Sequence, residues 1–108
     1  MKIRNLAKEY FEYFKCKDIE RLKGLFDQKI KLSDWEVEVD GFKNVVEKNI
    51  EIFSALGNFD LLVSNMYLID NIIFAEIIIT ANNEKIKVLD KLEFSNEYKI
   101  KKITAYKG

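Results

Sequence analysis

Apolar residues recur at helical spacing over the first half of the chain and at strand spacing over the second. Ile3, Leu6, Ala7, Tyr10, Phe11 and Phe14 fall three or four residues apart, which predicts an amphipathic helix over residues 2–16. Lys17-Asp18 interrupts the stripe, and Asp18 is placed to cap a short second helix carrying Ile19, Leu22, Leu25 and Phe26. Phe42, Val45, Val46, Asn49, Ile50 and Phe53 mark a third helix between Gly41 and Gly57. Ahead of it, Ile30 and Leu32 alternate with Lys29, Lys31 and Ser33 as in a strand, and Asp34 shares the parity of the apolar pair. The apolar parity then switches to Trp35, Val37 and Val39, so a turn or bulge is expected near residues 34–37.

From residue 58 onward the alternation is that of strands, over 59–69, 72–80, 84–94 and about 99–106. Asp70-Asn71, Asn82-Asn83 and Ser95-Asn96-Glu97 supply the turns between them. Helices first and a meander of long strands afterwards predict a single α+β domain over residues 1–108. Its expected form is a curved antiparallel sheet, a cone-like half-barrel closed by the N-terminal helices around a small apolar pocket. The lysines of 99–107 read as the outer face of an edge strand, where they discourage aggregation. Segment 72–80 is apolar on both faces, with Ile73, Ala75, Ile77 and Ile79 on one and Ile72, Phe74 and Ile78 on the other. A lone antiparallel sheet usually keeps one face wet. The second face is therefore expected to be covered, either by helices that wrap further or by a second copy in a homodimer, the more economical arrangement.

Composition removes several classes of function. Lys plus Arg and Asp plus Glu are 18 each, for a net charge of zero, so neither nucleic acid nor an anionic membrane is an expected partner. The single cysteine, Cys16, forms no internal disulfide, and a cytoplasmic location is expected. The opening MKIRNLAKEYFEYF is not a signal peptide, and charged residues break every apolar run before it could span a bilayer. No histidine is present, which leaves Cys16 without a base to activate it and marks it as a packing residue. Asp34, Glu36, Glu38 and Asp40 lack the glycine-bearing loop of a calcium site and read as a solvated acidic turn. No metal and no cofactor are expected.

Parity singles out three candidates. In 84–94 the even positions are Ile86, Val88, Asp90, Leu92 and Phe94, which aims Asp90 into the apolar face. A buried carboxylate must find a partner or take up a proton. Asp34 points inward by the same rule, and Tyr10 lies on the apolar stripe of the first helix. Each has a plain structural alternative: an aspartate bridging backbone amides, a tyrosine filling the core. Two inward carboxylates beside an inward phenol nevertheless point toward a functional pocket. Phe11, Phe14, Trp35, Phe53 and Phe74 are candidates for its wall.

YFEYFKCKDIERLKGLF followed by KLSDWEVEVDGFKNVVEKN resembles the opening of ketosteroid isomerase and of the SnoaL-like polyketide cyclases, within the superfamily named for nuclear transport factor two. VLDKLEFSNEYKIKKITAYKG resembles the closing hairpin of the same family. The resemblance spans nearly the whole chain as a pattern of spacings. It implies that Asp34 moves a proton beside a carbonyl, while Tyr10 and a protonated Asp90 donate hydrogen bonds to the enolate oxygen. The implied partner is a small apolar molecule. The alternative is a non-catalytic small-molecule-binding or dimerisation module of the same fold. Dehydratases of the superfamily use histidine, which is absent. Its epoxide hydrolases use an arginine within the sheet, whereas Arg4 and Arg21 fall on predicted helices.

Overall fold

The structure, a computed structural model, describes residues 2–108. Three helices precede or interrupt a six-stranded sheet. They are α1 (Lys2–Lys15), α2 (Ile19–Lys23) and α3 (Phe42–Leu56). The strands are β1 (Phe26–Ser33), β2 (Glu38–Asp40), β3 (Phe59–Ile69), β4 (Ile72–Ala81), β5 (Glu84–Phe94) and β6 (Ile100–Lys107), in spatial order β2-β1-β6-β5-β4-β3. The sheet is not closed, its ends being β2 and β3. This is an α+β cone with the N-terminal helices packed on the sheet.

Local chemistry accounts for the element ends. The Asp18 carboxylate accepts the Arg21 backbone N–H at 3.2 Å and caps α2, a contact typically contributing about 1 kcal/mol. α3 stops at Gly57, whose φ of 61° and ψ of −132° only glycine adopts without strain. At the β4–β5 hairpin Asn82 and Asn83 both take positive φ, 53° and 63°, the backbone of the tight turns whose twist matches the flanking strands.

Four expectations need correction. Leu25 and Phe26 are not helical: α2 ends at Lys23 and β1 begins at Phe26, whose ring is buried. The apolar spacing there fits a helix and a strand equally well over so few residues. The sheet is mixed, because β1 runs parallel to β6 while every other neighbouring pair is antiparallel. That pairing makes the lysine-rich β6 a central strand, with β1 on one side and β5 on the other. Its Lys102 is exposed on the outer face opposite Glu93, and Lys107, which shares the parity of Ile103, is exposed at the end of the strand, so neither marks an edge. Cys16 is also exposed, with Sγ 3.7 Å from a Glu12 carboxylate oxygen, and so does not pack the core.

The parity switch after Asp34 is a short hairpin. Leu32 on β1 opposes Val39 on β2, with residues 34–37 making the turn. The core lies between the inner face of the sheet and two helices. α1 contributes Ile3, Ala7, Tyr10 and Phe11, and α3 contributes Val45, Asn49 and Phe53. Arg4 ties α1 to the far edge of the sheet by donating to the Met66 carbonyl of β3 at 3.1 Å.

Candidate functional site

A cavity of about 190 Å³ opens between the two helices and the sheet. The sheet supplies Leu32, Leu61, Ile77, Ile79, Ile86, Val88, Ile103 and Ala105, α1 supplies Tyr10, Phe11 and Phe14, and α3 supplies Asn49, Ile52 and Leu56. Asp90, Asp34 and Trp35 also border it. The three candidates singled out by parity therefore meet at one space.

Register explains why there is space at all. Asp90 stands opposite Ala75 on β4 and Ala105 on β6. Cross-strand neighbours on one face normally fill the volume around each other. Here both are methyl groups, too short to fill the volume beside the carboxyl group. Asp90 is 7% exposed and accepts no hydrogen bond from any described residue. Burial alone raises its pKa, from 3.8 to about 7. Tyr10 is 4% exposed, and its hydroxyl has no protein partner among the described residues. Its pKa is pushed well above 10, first by burial and then by the charge of Asp90.

No described side-chain oxygen is both sealed from solvent and unpaired. The oxygens of Tyr10 and Asp90 therefore reach the cavity rather than being shut into the packing around them. Below pH 7 the pair presents two O–H donors to an apolar space, an arrangement able to stabilise a negatively charged oxygen placed there.

Asp34 is in a different setting. It follows the last residue of β1, and one carboxylate oxygen accepts the backbone N–H groups of Glu36 and Val37 at 2.7 and 2.8 Å. The side chain organises the turn that reverses the chain into β2, as aspartates commonly do. These two bonds also hold the carboxylate in a fixed orientation beside the cavity, with its second oxygen unused by the turn.

The five expected wall residues divide. Phe11 and Phe14 line the cavity, and Phe14 lies 6.0 Å from the Tyr10 ring, centroid to centroid. Trp35 is 45% exposed and stands at the mouth, with the Lys107 ammonium 5.9 Å from its ring centroid. Phe53 does not reach the space; it packs edge-on against Phe14 at 5.0 Å, behind the wall. Phe74 is on the opposite face of the sheet, between Tyr67 and Lys91 in register, because it shares the parity of Ile72 and Glu76. Sequence patterning passed over Asn49, Ile52 and Leu56. Asn49 carried a signal, a polar residue on an apolar helical stripe, of the same kind that identified Asp90.

No protein-family model matches the chain, and no curated protein matches it in sequence. Solved structures match it along almost its whole length. A provisionally named ketosteroid isomerase from Kribbella flavida superposes with a TM-score of 0.89 at 16% identity, covering 99% of this chain and 78% of that one. A provisionally named SnoaL-like polyketide cyclase from Shewanella putrefaciens gives 0.87 at 10% identity, with 99% and 80% covered. A de novo designed protein with a curved β-sheet gives 0.85 at 18% identity, with 99% and 85% covered. The chain has the nuclear transport factor two-like fold. At these identities the likeness concerns the fold alone, and the designed protein makes the point that the architecture can be built without any inherited chemistry.

Proposed function

We propose that the cavity binds a small apolar carbonyl compound and moves a proton next to its carbonyl group. Asp34 is the base. Its free oxygen takes the proton from the carbon beside the carbonyl, the C–H electron pair becomes a C=C bond, and the former carbonyl oxygen becomes an enolate. Tyr10 and protonated Asp90 donate hydrogen bonds to that oxygen, and Asp34 returns the proton to the same or the conjugate carbon. The observation that carries this reading is Asp90. It is a carboxyl group buried without a partner, flanked by two alanines and open to an apolar cavity beside an unpartnered phenol.

The test is exchange of the ring protons beside the carbonyl of cyclohexanone in heavy water, followed by proton NMR. Saturable exchange faster than in protein-free buffer is expected, falling as pH rises through about 7 because Asp90 then ionises. No acceleration over buffer would overturn catalysis. One observation favours a second reading, a non-catalytic binding module: the Asp34 carboxylate is already employed in its turn. Binding of phenol without ketone exchange would select that reading.

We also propose that the chain is a homodimer through the outer face of the sheet. Leu62, Ile69 and Tyr106 are each more than half exposed there, and no helix covers them. Static light scattering at micromolar concentration is expected to give twice the chain mass, and the double substitution Leu62→Lys, Ile69→Lys the single mass. A monomeric wild type overturns this.

A further inference from the structure

Asn49 and Asp90 are the two polar residues buried in the described core. Asn49 is 2% exposed and reaches the cavity from α3, a different wall from Tyr10 on α1 and Asp90 on β5. Its amide orientation is fixed by chemistry. Nδ2 donates to the Val45 carbonyl at 2.8 Å, and the reversed amide would set two oxygens against each other. That leaves Oδ1, to which no described residue donates. No described side-chain oxygen is sealed and unpaired, so Oδ1 keeps a small opening although the side chain is otherwise fully buried. For so deeply buried a residue bordering the cavity, that opening is onto the cavity itself.

Tyr10 and a protonated Asp90 each carry an O–H to donate, whereas the free Oδ1 of Asn49 can only accept. A wholly apolar ligand filling the cavity would strip water from Oδ1 and replace it with nothing, which is costly for a buried amide. We infer that Asn49 is a specificity-determining residue: its Oδ1 accepts a hydrogen bond from a hydroxyl or N–H that the ligand carries in addition to its carbonyl or phenolic oxygen. The inference rests on the pocket reading given above. Size narrows the class further. A cavity of about 190 Å³ is near the roughly 150 Å³ that encloses a benzene molecule and below the ~300 Å³ at which drug-sized sites begin. The part of the ligand that the cavity encloses is therefore of single-ring size and carries two polar groups.

The experiment compares phenol with resorcinol and hydroquinone, which add a second hydroxyl to the same ring, by calorimetric titration at pH 6. Wild-type protein is expected to bind at least one dihydroxybenzene about ten-fold more tightly than phenol, the yield of one added hydrogen bond. In Asn49→Leu the preference disappears, because phenol no longer leaves a buried amide oxygen unpaired and a second hydroxyl no longer finds an acceptor. A measurement on the wild type keeps the inference testable should that variant not fold: the side-chain carbonyl carbon of Asn49 shifts in NMR on adding the preferred dihydroxybenzene and not on adding phenol. Phenol binding with no preference, or a preference that survives Asn49→Leu, overturns the role of Asn49 and leaves the pocket reading standing. Failure of all three compounds to bind overturns both.

Discussion

Asp34 and Asp90 have the same side chain, the same inward parity and the same cavity, yet the fold treats them in opposite ways. Asp34 sits just past a strand end, where free backbone N–H groups are at hand, and two of them take one of its oxygens. Asp90 sits mid-strand, where neighbouring N–H groups are committed to the ladder and both cross-strand neighbours are alanine. The first carboxylate is held by the backbone, and the second is held only by what surrounds it. Position along a strand, more than side-chain identity, decides whether a carboxyl group becomes a structural tie or a titrating group in an apolar space.

The largest test of this contrast is Asp34→Asn. Asparagine keeps an oxygen for the two turn N–H groups but is no base. Ketone exchange is expected to fall by about 10²–10⁴-fold, the usual worth of a positioned general base, with little change in melting temperature. Unchanged exchange would mean that Asp34 serves the turn alone.

The next concerns Asp90 and pH. Its folded pKa is raised, so the folded state holds the proton more tightly than the unfolded chain. The associated stability is fully present below about pH 4 and is lost as pH rises to about 7. Between 3.8 and about 7, at about 1.4 kcal/mol per pH unit, the ceiling is roughly 4 kcal/mol. With no histidine in the chain, little else titrates between pH 5 and 7. Urea unfolding at pH 4.5, 6 and 8 is expected to show the decline, and Asp90→Asn to flatten it. A wild-type profile as flat as the variant's would place Asp90 in contact with water. The smallest effect is that of Asp34→Ala, which removes the turn bonds. We expect a loss of about 1–2 kcal/mol by the same unfolding assay. A loss no greater than that of Asp34→Asn would show that the turn holds itself.

Periodicity carried much of the fold because it needs only local information. The long strands, the stripe of α1 and the inward aim of Asp90 follow from side chains alternating every two residues or returning every three to four. What it did not carry depends on partners distant in sequence. Whether β6 is an edge or a centre turns on its pairing with β1, and lysines on the outer face look the same in both cases. Likewise, parity gave Asp34 a direction but not the two amides waiting in the next three residues. Phe74, a candidate for the wall, lies outside it, on the face its parity with Ile72 and Ile78 assigns. The void at Asp90 needed register, since only pairing shows that Ala75 and Ala105 are its neighbours.

The parallel pairing of β1 with β6 also bears on how the chain reaches this shape. Phe26 lies opposite Ile100, so one of the first strands to be made is completed by the last. The β3–β6 meander can zip locally through its tight turns, whereas β1 must wait for a contact that closes a loop of nearly the whole domain. Until then β1 offers an unpaired row of N–H and C=O groups, the part of the folding chain most open to pairing with a wrong partner.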